Sequence, residues 1–93
     1  DLQGQAVRHA RPQDLDRLEE LLVQLRTLPG LVEKTRGVFY FKSRSFLHFH
    51  EDPKGLFADL REAGGGNDFD RIDVTEAGGQ SALVELTRAR LEV

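Results

Sequence analysis

The tetrapeptide Asp52-Pro53-Lys54-Gly55 separates two short apolar runs and constrains the fold of this chain more than any other feature. Asp at the first position, Pro at the second and Gly at the fourth each suit a type I turn. Runs joined by so short a link can only pair antiparallel. Residues 38–42, 45–51 and 56–62 therefore read as three consecutive strands, with Ser43-Arg44 as the other turn. Residues 69–74 read as a fourth strand, reached through the loop Ala63-Gly64-Gly65-Gly66-Asn67-Asp68. No Gly-Lys-Ser/Thr follows this glycine triplet, so it reads as a surface loop and not as a phosphate cradle.

Helices are expected on either side of these strands. Leu15, Leu18, Leu21, Leu22, Leu25 and Leu28 recur at three- and four-residue steps and form one apolar stripe. Pro12 suits the first turn, Asp14 and Asp16 complement the helix dipole, and Pro29-Gly30 ends the helix. A second helix is expected from a cap at Thr75 toward Leu91, with Leu83 and Leu86 on its apolar side and a late start because of Gly78-Gly79. Residues 31–37 read as a connector and residues 1–10 as loosely ordered. The expectation is one domain over residues 1–93, α+β in class, with the order α-β-β-β-β-α and an antiparallel β-meander packed on two helices.

Side chains alternate along strands. A two-residue turn at Ser43-Arg44 sets Phe41 opposite Phe46, Tyr40 opposite Leu47 and Phe39 opposite His48. An unbulged turn at Asp52–Gly55 sets Phe49 opposite Ala58 and His48 opposite Asp59. One face then carries Val38, Tyr40, Leu47, Phe49, Leu56, Ala58 and Leu60, a core for the helices to cover. The other carries Phe39, Phe41, Phe46, His48, His50, Phe57, Asp59 and Arg61. A bulge at Gly55 would move Asp59 and Arg61 to the opposite face and leave the histidines where they are.

The second face is the candidate site, and three readings of it stand. In the first, Phe39, Phe41, Phe46, His48, His50, Phe57, Asp59 and Arg61 form a binding surface, covered by a second copy of the chain, another protein or a small anionic ligand. In the second, His48 and His50 chelate a divalent metal with Asp59 or Asp52 as third ligand, since histidines at i and i+2 on a strand point the same way. In the third, His48 or His50 paired with Asp59 works as a general acid or base, with Arg61 orienting an anionic substrate. No cofactor is required by the first reading, and whether the chain is an enzyme is left open. His9, Arg8, Arg11 and Arg17 read as solvated.

Composition narrows the partners. Thirteen basic residues (13 Lys+Arg) against 16 Asp+Glu give a net charge of −3, which is no field for a phosphate backbone, so general nucleic-acid binding is not expected. No apolar run reaches the roughly 18 residues that span a bilayer. Cys is absent, which removes disulfides and thiolate chemistry and makes a cytoplasmic location the expectation. Met is absent too, so the numbering is expected to begin inside a longer product.

Residues 28–61, LPGLVEKTRGVFYFKSRSFLHFHEDPKGLFADLR, resemble a group of short uncharacterised bacterial proteins. These carry a Phe-Tyr-x-Lys-Ser pattern, then HFHEDP, then a Gly-Leu-Phe-Ala-Asp strand. There is a fainter similarity to the luciferase-like domain, in the Leu-Pro-Gly helix exit and the His-bearing strand. The resemblance implies a bacterial origin and no assigned chemistry. It transfers no luciferase activity, because no catalytic motif of that domain maps onto these residues.

Overall fold

The computed structural model describes residues 8–92. The fold is α+β with an antiparallel meander, as the turn chemistry requires. Its elements are β1 (Arg8–His9), α1 (Pro12–Arg17), α2 (Glu19–Leu25), β2 (Leu31–Thr35), β3 (Val38–Phe41), β4 (Arg44–Asp52), β5 (Gly55–Arg61), β6 (Phe69–Asp73) and α3 (Ala77–Arg90). A single turn of 3-10 helix at Ala63–Gly65 links β5 to β6. Strands β2 to β6 lie side by side in chain order, and β1 adds to β4 to complete a six-stranded sheet.

The leucine stripe forms the helical layer. Leu18, Leu21, Leu22 and Leu25 are fully buried, and Leu15 and Leu28 nearly so. The expected single helix is broken once, at Leu18, which closes α1 and opens α2. Asp14 secures the start by accepting the Arg11 main-chain N–H at 2.9 Å. Helix α3 buries Leu83, Val84 and Thr87 and packs on α2 and β6. It runs through Gly78-Gly79 from Ala77, earlier than expected, while Thr75 bonds the Leu56 main chain instead of capping it. All these leucines share one core with Leu47, Phe49, Leu56, Ala58 and Leu60, so the helices cover one face of the sheet. Among the described residues, no helix is long and apolar enough to cross a membrane.

The structure adds two strands to the expected four. Residues 31–35, expected in a connector, form β2 against β3. As an edge strand with Val32 left 54% exposed, it shows little apolar patterning. It is tied to the helices by charge: Arg26 donates to Glu33 at 2.6 Å and to Glu19 at 2.8 Å, and Glu33 accepts the Gly37 N–H at 2.9 Å. The other addition is β1, which places Arg8 opposite Glu51 and His9 opposite His50. Residues 1–7 of the stretch expected to be loose lie outside the described residues.

One register differs from expectation. The turn between β3 and β4 is Lys42-Ser43, with φ of 53° and 68°, and Phe41 sits opposite Arg44. Positive φ at both central residues is the type I′ hairpin geometry, which matches the twist of paired strands even without the usual Asn-Gly. A bulge follows, since Tyr40 pairs with Ser45 but Phe39 with Leu47. The extra residue flips parity, so Phe39 leaves the open face and is fully buried in the core. Phe46, at the bulge, is also buried there at 4% exposure.

Phe39→Ala is expected to lower stability by about 3–5 kcal/mol in urea denaturation, the cost of emptying a core phenylalanine site. Phe57→Ala, at a half-buried position on the open face, is expected to cost clearly less. Equal losses would return Phe39 to the open face.

Candidate functional site

The turn at residues 52–55 carries no register-shifting bulge. Pro53-Lys54 spans it, Asp52 accepts the Lys54 N–H at 2.7 Å, and Asp52 pairs with Gly55. Phe49 therefore stands opposite Ala58, His48 opposite Asp59 and His50 opposite Phe57. On the far side of β5, Asp59 stands opposite Arg71 and Arg61 opposite Phe69. The face away from the helices thus brings His48, His50, Asp59 and Arg71 together across three adjacent strands.

Their atoms meet. His50 Nε2 lies 2.9 Å from Asp59 Oδ2 and 3.0 Å from His48 Nδ1. Arg71 forks onto the same carboxylate, Nε to Oδ1 and Nη2 to Oδ2, each at 2.9 Å. The cluster is sheltered: the side chains of His50 and Asp59 are 14% and 12% exposed. The His9 ring stacks on His50 at 5.0 Å, and Phe69 packs against His48 at 5.1 Å.

Sheltering sets the charge states. Burial is the main influence pushing His48 below its ordinary value of 6.5; His50 adds to it and Asp59 opposes. His50 is lowered likewise, by burial first and against the pull of Asp59. Both rings are therefore neutral at pH 7. For Asp59 burial pushes the carboxyl up, but the Arg71 fork and positive charge, with the histidines, outweigh it and hold it below 3.8. A single ring nitrogen carries at most one proton, so His50 Nε2 cannot donate to Asp59 and to His48 at once. Three electron-pair donors converge where one proton serves only one of the two contacts.

Not all expected site residues join this cluster. Phe57 lies on the same face, half-buried. Arg61 shares the face, but its guanidinium turns away to the carbonyls of Ser45 and Gly66 and over the Phe69 ring. Phe41 packs edge-on against Phe46, and Phe39 belongs to the core, so neither adds to an aromatic surface beside the histidines. Arg71 and His9 were not among the expected site residues. Arg71 could have been found by carrying the pairing one hairpin further, where Asp59 meets an opposite charge. His9 gives no signal, because a two-residue strand has no readable period.

Arg71→Gln removes the fork from Asp59. The depressed Asp59 pKa contributes stability above pH 3.8, and that contribution is lost as pH falls through the folded value. The variant is expected to be less stable at pH 7 by about 1 kcal/mol, a modest figure because Arg71 is partly in solvent. The gap from wild type should narrow as pH falls below 3.8 and close once pH has passed the folded value; a gap that persists in acid would mean Arg71 acts through packing instead. Comparison with family models, curated proteins and solved structures finds no match for this chain, so its chemistry is read from its own side chains.

Proposed function

We propose that this chain is a small metal-binding domain that holds a divalent ion of the zinc type on the open face of its sheet. His48, His50 and Asp59 are the ligands. The observation that carries the reading is the convergence of His48 Nδ1, His50 Nε2 and Asp59 Oδ2, with ligand atoms from the three residues all within 4.8 Å of one another. A cation gives all three electron pairs a common acceptor, which one proton cannot do. Ligand atoms of a tetrahedral zinc site lie about 3.3 Å apart, given zinc–nitrogen distances of about 2.0–2.1 Å. The contacts at 2.9 and 3.0 Å come near this spacing. Neutral imidazoles and an ionised carboxylate are the protonation states that ligation needs. Arg71 then acts as a positioning residue, orienting the ligating carboxylate from behind.

Three protein ligands leave a fourth position for water or a substrate, which is the arrangement of sites that do chemistry. The acid–base reading is favoured by one of the same contacts, His50 to Asp59 at 2.9 Å. Self-association through this face has less support, because Phe39 and Phe46 are core residues.

Titration of metal-stripped protein with Co²⁺ or Zn²⁺ tests the proposal. One equivalent is expected to saturate a cobalt visible spectrum. Zinc at a hundredfold excess over Kd is expected to stabilise by about 2.7 kcal/mol, or roughly 10–20 °C in Tm for a domain of this size. His50→Ala and Asp59→Asn should each abolish the response, and Arg71→Gln should weaken it by roughly 10- to 100-fold. An unchanged melting curve with no saturable cobalt spectrum would reject the metal and leave the acid–base pair.

A further inference from the structure

Arg61 is the one arginine in the described residues that is buried, at 9% exposure. Its Nε donates to the Ser45 carbonyl at 2.8 Å and its Nη1 to the Gly66 carbonyl at 2.7 Å. Among the described residues no carboxylate reaches it. Arg71 and Arg90, by contrast, are each matched, to Asp59 and Asp70 at 2.9 Å. Burying a charge without a counter-charge costs several kcal/mol, so an uncompensated buried guanidinium calls for an anion.

The surroundings of Arg61 supply a place for one. It lines a cavity of about 220 Å³ between the β3–β4 hairpin, the loop at residues 62–66 and the end of α3. Phe41 and Phe46, packed edge to face at 5.3 Å, form an apolar wall. Arg44 and Lys42 stand at the rim, and among the described residues neither meets a carboxylate. Arg44 donates to the Gly65 carbonyl and the Asn67 amide oxygen, and Lys42 lies over the Phe41 ring. Glu62 is the one acidic residue lining the cavity, and its Oε2 accepts from the Asp68 N–H at 3.4 Å. Among the described residues, three cations without a carboxylate partner against one carboxylate leave the cavity positive, and the phenylalanines leave one side apolar.

We infer that this cavity binds a compact organic carboxylate with an apolar, ring-sized body. The carboxylate meets Arg61 and Arg44, where a planar guanidinium offers paired donors to a planar acid. The body packs on Phe41 and Phe46. The volume falls below the roughly 300 Å³ at which sites for drug-sized ligands begin, which restricts the ligand to about one ring. This site is separate from the histidine cluster, whose lining it does not share.

Benzoate is the probe, followed by amide shifts of the whole chain in two-dimensional NMR. Saturable shifts are expected at Phe41, Phe46 and residues 61–66, with dissociation in the millimolar range or tighter and weakening with salt. Benzyl alcohol, matched in size but neutral, and inorganic phosphate, charged but without a body, are each expected to bind at least roughly tenfold more weakly, the loss of one charge-assisted contact or of the ring's burial. Arg61→Gln should abolish saturation. Because Arg61 also holds two carbonyls, the exposed-rim double variant Lys42→Gln/Arg44→Gln serves as a second arm, expected to fold and to lose roughly tenfold in affinity. No saturable shift at tens of millimolar benzoate would overturn the inference. Benzyl alcohol binding as well as benzoate would reject the anion site, and phosphate binding as well as benzoate would reject the apolar body. Metal-stripped protein gives the same outcome if the inference holds, so the histidine site and this one stand or fall separately.

Discussion

The pairing of β4 with β5 is the constraint on which the rest of this structure depends. Among the described residues, β4 is the longest strand, nine residues, and it alone pairs with three partners, β1, β3 and β5. Its register on β5 is set at the turn by Pro53 and by the Asp52 carboxylate on the Lys54 N–H. A slip of one residue there would exchange faces for every side chain of β5. Leu56, Ala58 and Leu60 would leave the leucine layer, and Asp59 would leave the histidines. The same local turn therefore holds both the core and the candidate metal site in place.

The open face divides into two unlike electrostatic settings only a few residues apart. Around Asp59 every charge is answered: Arg71 forks onto the carboxylate and the two neutral histidines close on it. Around Arg61, among the described residues, the charge meets carbonyl dipoles and an aromatic ring and no carboxylate. Asp59 and Arg61 lie two apart on β5 and do not pair with each other. Both are buried to the same extent, each 9% exposed. The carboxylate is turned toward β6 and β4, the guanidinium toward the loop at residue 66, so the two side chains face different surroundings.

Local signals carried much of the fold. The leucine spacing located the helical layer because an amphipathic stripe has a 3.6-residue period that survives any tertiary context. The Pro53 turn located the His48–Asp59 pair because Pro and Gly specify backbone angles directly. The Lys42-Ser43 turn was not legible, since neither residue prefers positive φ and only the pairing of the flanking strands holds them there. That miss moved Phe39 to the wrong face. β2 was not legible for a related reason: an edge strand half in solvent needs few apolar residues. His9 reaches His50 only because β3 pairs with the early part of β4 and leaves residues 50 and 51 free for β1.

By itself, then, the sequence determined a single antiparallel meander under leucine-rich helices, with His48 and His50 on one side of a strand. Those properties follow from side-chain period and turn angles, which act over a few residues. Tertiary structure decided what the histidines meet. It brought Asp59 beneath them, Arg71 behind Asp59 and His9 beside His50, and it left Arg61 buried against a cavity with no counter-charge among the described residues. Such contacts join residues far apart in the chain, and they depend on which strand edges remain open and which direction a long side chain takes. No local propensity encodes either.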